Sequence, residues 1–179
     1  NKNKQRIFNN VYKFHNLVKK NLIELNSKNG DSLLDISCGE LGDLYKWVSN
    51  NLSSVVAIDI SKNNLVNTNK GACTRLLELQ EKNKEENKEN ELLNNIFIIW
   101  GDSSKNIKSG DAGLDSLNKF YLDNLFGNVI NRNHIHRLGN EKIKKNRGKF
   151  VDGFDIVSCQ FSLHYFFKNL SSLKELLLN

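Results

Sequence analysis

Three carboxylates stand at or just beyond the ends of three short apolar runs: Asp35 in "LLDIS", Asp59 in "SVVAIDIS" and Asp102 in "IFIIWGDSSK". Small residues, Ser37, Cys38 and Gly39, follow the first run, and Gly42-Asp43 precede an amphipathic stretch. Such a turn lets backbone approach a ligand closely, and the free amides at a helix start attract a negative group. Asp35 could accept from an ammonium. Asp59 lies 20 residues past Gly39, where nucleotide-binding α/β folds keep the acid that takes two ribose hydroxyls. Asp102 and Ser103 could read the amino and ring nitrogens of an adenine. A glycine turn with one acid is equally what a plain structural turn and a capping Asp would give, so the weight rests on the three together. An amino-acid tail, a ribose and an adenine are the parts of S-adenosylmethionine. A dinucleotide would ask for GxGxxG and a pyrophosphate cradle, and Asp35 would repel the pyrophosphate.

The elements that must position these acids follow from periodicity. Ile7, Val11, Phe14, Val18, Leu22 and Leu25 recur at spacings of three and four, which predicts a helix over 7–26. Strands are expected at 33–36, 54–60, 96–100 and 154–161, with helices at 43–50 and 61–80 and a last helix starting near Ser171. The charged "EKNKEENKEN" at 81–90 reads as a solvated helix end or loop. Strand–helix alternation with apolar strands predicts an α/β doubly wound domain, a mostly parallel sheet with flanking helices. Ligands in such sheets bind beyond the carboxyl ends of the strands. That selects Ser37–Gly42, Asp59, Asp102 and Gln160–Tyr165.

Charge is unevenly placed along the 179 residues. Residues 1–30 carry seven Lys/Arg against one Glu, and residues 128–150 again seven against one, so two basic blocks sit on an otherwise acidic body of overall charge +6. The blocks suit a polyanionic partner such as RNA, or serve only to keep the surface solvated. Cys38, Cys73 and Cys159 are an odd set without CxxC or paired-His spacing, so neither a disulfide framework nor a metal site is indicated. No apolar run approaches the roughly 20 residues of a membrane span, and the first thirty residues lack a signal-peptide core. No membrane association and an intracellular location are expected.

"FDIVSCQFSLHYFF" at 154–167 resembles the strand and loop of messenger-RNA cap (guanine-N7) methyltransferases, and "HNLVKKNLI" at 15–23 resembles their N-terminal helix. "LLDISCGELGDLYKW", "AIDIS" and "GDSSK" match that family in order and spacing, so the resemblance covers essentially the whole chain. With "GACTRLLEL" it looks most like the methyltransferase domain of large-DNA-virus capping enzymes. The resemblance implies a Rossmann-like class I S-adenosylmethionine-dependent methyltransferase, a single domain over 1–179 with C-terminal strands missing and an expanded loop region at 106–153. It implies a capped RNA (GpppN end) as substrate and capping-enzyme domains or subunits as partners. The location would be the nucleus for a cellular protein, the host cytoplasm or virion for a viral one.

By position, the resemblance implies that Lys19 holds the donor carboxylate and Asn16 braces its helix over the cofactor. Asp35, Ser37 and Gly39 would take the methionine portion, Asp59 the ribose, and Asp102 with Ser103 the adenine. Gln160 would sit beside the donor, and Phe161, His164 and Tyr165 would face the cap guanine. The family chemistry needs no catalytic triad: the sulfonium carbon is already electrophilic, the guanine nitrogen attacks in line, and the enzyme supplies alignment. The chain departs from the usual "GCGxGGD" turn at Ser37, Glu40 and Leu41. Leu41 adds bulk where glycine is usual, and Glu40 replaces a cation expected near the cap phosphates. Those departures are what a rival reading would stand on, a non-catalytic methyltransferase-like module that binds RNA or scaffolds a capping complex. A small-molecule methyltransferase of the same fold is a third reading.

Overall fold

The computed structural model of the chain describes residues 2–128 and 141–178. Four strands, β1 (Ser32–Asp35), β2 (Ser54–Asp59), β3 (Ile96–Trp100) and β4 (Ile156–Ser158), form one parallel sheet in the order β3-β2-β1-β4. The chain adds strands outward from β1 to β3, then returns to the far side of β1 for β4. Strand order therefore reverses between β1 and β4, which opens a crevice at their carboxyl ends. Asp35 is paired there with Ala57 on one side and Ser158 on the other.

The interiors of β1, β2 and β3 are apolar because both faces are covered, while Val157 of β4 is exposed. Leu33, Val55, Ala57 and Ile96 pack on one face with Trp47, Leu76 and Leu79, while Leu34, Val56, Ile58 and Ile99 pack on the other with Leu122, Leu125 and Phe150. The period of two along each strand feeds both cores at once. All six residues of β2 are buried.

The helices are α1 (Lys2–Asn26), α2 (Leu44–Ser49), α3 (Lys62–Val66), α4 (Ala72–Glu85), α5 (Glu91–Asn94), α6 (Ser116–Leu125), α7 (Glu141–Lys145) and α8 (Leu170–Leu178), with a 3₁₀ segment over Leu163–Lys168. The single helix expected over 61–80 is two helices. Asn67 breaks it: its side-chain oxygen accepts from the amides of Asn69 and Lys70, and its carbonyl accepts from Gly71 and Thr74. A Cβ at Gly71 would stand 2.6 Å from the Asn67 backbone, so glycine is required at the start of α4. The charged run at 81–90 begins as the exposed last turns of α4.

Three other expectations change. α1 forms, but the predicted apolar face is not its buried one: Val11, Phe14, Leu22 and Leu25 are exposed, and Ile23 is the buried α1 residue among those described. The contact line is instead Asn16, Lys19 and Ile23. β4 ends at Ser158 rather than 161, because Phe161 takes a left-handed backbone (φ 61°) that no strand continues. The stretch 106–153 is more than a loop: α6 supplies Leu122 and Leu125 to the second core, and Phe150 joins them. Of the basic end of that stretch, residues 129–140 lie outside the described residues.

Candidate functional site

Asp35 ends β1 with its carboxylate buried, its Oδ1 accepting from the Ser37 amide at 3.0 Å. Burial pushes the carboxyl up from its ordinary 3.8 to about 7; Asp43 and Asp59 add to the rise, while the Ser37 amide and the Lys19 charge oppose it. The same burial, with Asp35 and Asp59 close by, raises the Cys38 thiol well above its usual range, so Cys38 offers no thiolate nucleophile.

The turn after β1 is organised from β2. The Gly39 amide donates to Asp59 Oδ2 at 2.8 Å, while Asp59 Oδ1 accepts from the Ser61 amide at 2.9 Å and from Asn64 at 3.2 Å. Gly39 has φ 56°, and a Cβ there would meet nothing within 4 Å, so open space lies above it. Leu41 shares the left-handed conformation (φ 60°) with its side chain 1% exposed. Its bulk therefore points into the core, where the turn would otherwise be glycine, and not toward a ligand. Glu40 is paired with Lys70 at 2.9 Å and Arg75 at 3.4 Å, so its charge is compensated from α4 and the loop before it.

Asp102, after β3, accepts from the amide and hydroxyl of Ser104 at 3.0 and 2.6 Å. Ser103, the next residue, is buried. Asp59, Asp102 and Ser103 line one cavity of about 470 Å³, whose far wall comes from the turn after β4 through Ser162, Tyr165 and Lys168. Ser37 on the same cavity shares a short hydroxyl hydrogen bond with Ser162, tying the turns after β1 and β4 together. Tyr165, expected to face the acceptor alone, is on the wall of the cavity that holds Asp59 and Asp102. Ser162, bonded to Ser37, also accepts at its carbonyl from the Tyr165 amide at 3.0 Å, which ties Tyr165 to the turn after β1.

Lys19 is not a free cation: it pairs with Asp43 at 2.9 Å, and Lys46 pairs with the other Asp43 oxygen at 2.7 Å and donates to Asn16 Oδ1 at 3.2 Å. An Asp and a Lys three apart at a helix start are a pair that the sequence itself displays. Together they fasten α1 to α2 beside Asp35. Gln160 donates to Ser158 Oγ at 3.3 Å, and its buried Oε1 has no partner among the described residues. His164 lies against Tyr165, ring centroids 4.0 Å apart, and Phe161 lies against His15 of α1.

Carboxylates end β1 and β2 and follow β3, and those of Asp59 and Asp102 share one cavity with the turn after β4. A sequence profile of the mRNA (guanine-N(7))-methyltransferase domain matches residues 1–123. The chain belongs to this family. The parallel sheet in the order β3-β2-β1-β4 is the Rossmann-like frame that membership implies. Similar proteins include a "Probable mRNA-capping enzyme" of Acanthamoeba polyphaga mimivirus, 27% identical over 158 residues, 86% of this chain and 11% of that protein. "mRNA cap guanine-N(7) methyltransferase 1" of Oryza sativa subsp. japonica and of Arabidopsis thaliana are each 38% identical over 53 residues, 30% of this chain and 14% of theirs. The matched segments are a small part of those relatives. The profile's span contains β1 to β3 and their three acids; the Gln160–Tyr165 turn lies beyond it.

Proposed function

We propose that the chain transfers a methyl group from S-adenosylmethionine to N7 of the guanine cap of messenger RNA. The observation that carries this reading is the series Asp35, Asp59 and Asp102 at adjacent strand ends, the last two sharing a cavity with Ser162 and Tyr165. Two features fit the donor in particular. Asp35 is a buried carboxylate that a cationic amino group would stabilise in its charged form, and the cavity beside Asp59 and Asp102 has about 470 Å³ for an adenosine.

On this reading Asp35 and Gly39 hold the amino-acid end, with Lys19 and Asn16 above them, Asp59 takes the ribose hydroxyls, and Asp102 with Ser103 the adenine. S-adenosylmethionine, when bound, supplies an electrophilic methyl carbon. The chain's residues bind and align. Gln160 Oε1 is an orphaned buried acceptor suited to an N–H donor at the join between donor and acceptor. Phe161 and His164 offer flat faces to a base, and Tyr165 spans both halves. A capped RNA end is the substrate, with further capping-enzyme domains or subunits as partners. The work belongs to the nucleus for a cellular gene and to host cytoplasm or virion for a viral one.

The rival scaffold reading stood on Leu41 and Glu40. Leu41 is buried away from the cavity and Glu40 is neutralised by Lys70 and Arg75, so neither closes the site. The test is incubation with methyl-labelled S-adenosylmethionine and RNA ending in GpppA, followed by nuclease digestion. Label on guanine N7 is expected. Binding of S-adenosylhomocysteine without any transfer would favour the scaffold, and transfer to free metabolites but not to the cap would favour the small-molecule enzyme.

A further inference from the structure

α1 bridges the two halves of the crevice. Asn16 and Lys19 are fastened to Lys46 and Asp43 at the turn after β1. One residue before Asn16, the His15 ring lies on the Phe161 ring from the turn after β4, centroids 4.3 Å apart and planes 25° apart. Phe161 is a residue that needs holding. Its φ of 61° is sparsely populated for a bulky side chain, and such a conformation persists only where the surroundings over-determine it. The backbone is held on one side by Ser162, bonded to Ser37 and close to Cys159 at 3.3 Å. Phe161 is 49% exposed, and its ring contact among the described residues is with His15.

His15 is itself exposed, so this contact is not core packing. At 4.3 Å between centroids, no base fits between the two rings. The face of Phe161 turned away from His15 is therefore the one left for a flat acceptor. We propose that His15 is a positioning residue for the methyl acceptor: its imidazole fixes the plane of the Phe161 ring, and so the orientation in which a base stacks there. The inference rests on the reading of Phe161 as a wall of the acceptor site. It also gives α1 a second task, linking the helix that overlies Asp35 to the place where the acceptor lies.

The test uses the protein as its gene encodes it, with His15→Ala, His15→Phe and His15→Asn compared by S-adenosylhomocysteine calorimetry and by methyl transfer to GpppA-capped RNA. His15→Ala should leave S-adenosylhomocysteine affinity unchanged and raise the KM for capped RNA about two- to tenfold, the range of an aromatic pair. His15→Phe, which keeps a flat ring, should restore KM, and His15→Asn should not. A wild-type KM in the Ala variant, or rescue by Asn equal to that by Phe, overturns the proposal. So does a matching loss of S-adenosylhomocysteine affinity, which would make His15 a support of α1 alone. If the wild-type protein itself transfers no methyl to capped RNA, the cap reading has failed and this inference falls with it; wild-type transfer with an unaffected Ala variant sinks the inference alone.

Discussion

Replacing Asp35 by Asn should stabilise the fold at pH 8 and do far less at pH 5. The buried carboxyl is carried from 3.8 to about 7 by loss of solvent, with Asp43 and Asp59 pushing the same way and the Ser37 amide and Lys19 pulling back. Its ionised form is therefore about 4 kcal/mol less favourable in the folded protein than in the unfolded chain. Between those two values the folded state keeps a proton that the unfolded state has lost. Stability from this group is thus full below about pH 4, declines as pH rises toward about 7, and is level above. Asparagine keeps the oxygen that accepts from Ser37 at 3.0 Å and removes the ionisation. Urea unfolding of both proteins at pH 5 and pH 8 reads the effect, since all other titrating groups are shared and cancel. The Asn variant should gain on wild type by more than half of the 4 kcal/mol between the two pH values. Parallel pH profiles would refute the argument that Asp35 is held neutral by burial. Ligand binding supplies a second arm. A cationic amino group against Asp35 should expel its proton, so S-adenosylhomocysteine titrations near pH 6.5 should show heats that depend on buffer ionisation, and Asp35→Asn should show none.

Asp59→Ala should weaken S-adenosylhomocysteine binding more than tenfold, because charge-assisted bonds to two hydroxyls are worth about 1.5–3 kcal/mol; an unchanged dissociation constant in a folded variant removes Asp59 from the site. Tyr165→Ala should lower both S-adenosylhomocysteine affinity and methyl transfer, since Tyr165 lines the Asp59 cavity; a loss confined to transfer would put its ring wholly on the acceptor side. Gly71→Ala should destabilise by about 1–3 kcal/mol, as its Cβ would press on Asn67 backbone at 2.6 Å, and an unshifted melting temperature would mean that the α3–α4 break yields. Affinity for long capped RNA should fall steeply with ionic strength if the blocks at 1–30 and 128–150 track the chain, and a flat response would return them to solvated surface.

How far the sequence could be read depended on what fixed each feature. Strand positions and the parallel sheet were legible because both faces of β1, β2 and β3 are buried, which leaves unbroken apolar runs bounded by Asp and Gly. The acids at their ends were legible for the same reason: they mark where the runs stop. The buried side of α1 was not, since Ile23, Asn16 and Lys19 are chosen by a polar clamp with Asp43 and Lys46, and hydrophobic periodicity has no term for a clamp. The α3–α4 break hides in Asn67, a residue too common in this chain to read as a stop. The left-handed backbone at Leu41 and Phe161 was invisible because glycine, the usual signal, is absent at both. Ser162 and Lys168 reach the cavity only through the 3₁₀ segment, whose path no local pattern encodes.

The electrostatics of the crevice divide its work. Asp35, Asp43 and Asp59 are buried, and Lys46 beside Asp43 is nearly so. Charges in such places act through protein rather than through salt water, so their attraction for a cationic ligand is screened little. Lys13 and Lys20 of α1 stand on the surface, within reach of counterions. They can attract a polyanion only through solvent, where a Debye length of about 8 Å at physiological salt limits them. Asp43 is the hinge between the two sets. By pairing with Lys19 and Lys46 at 2.9 and 2.7 Å it offsets the pull that the Lys19 charge exerts on Asp35, and its own charge adds to the rise of the Asp35 carboxyl. Removing Asp43 would leave two part-buried lysines uncompensated next to the carboxylate on which the amino-acid end of the donor is proposed to depend, and would free the helix that carries His15. One buried acid therefore both compensates the two lysines beside Asp35 and fastens α1 to α2.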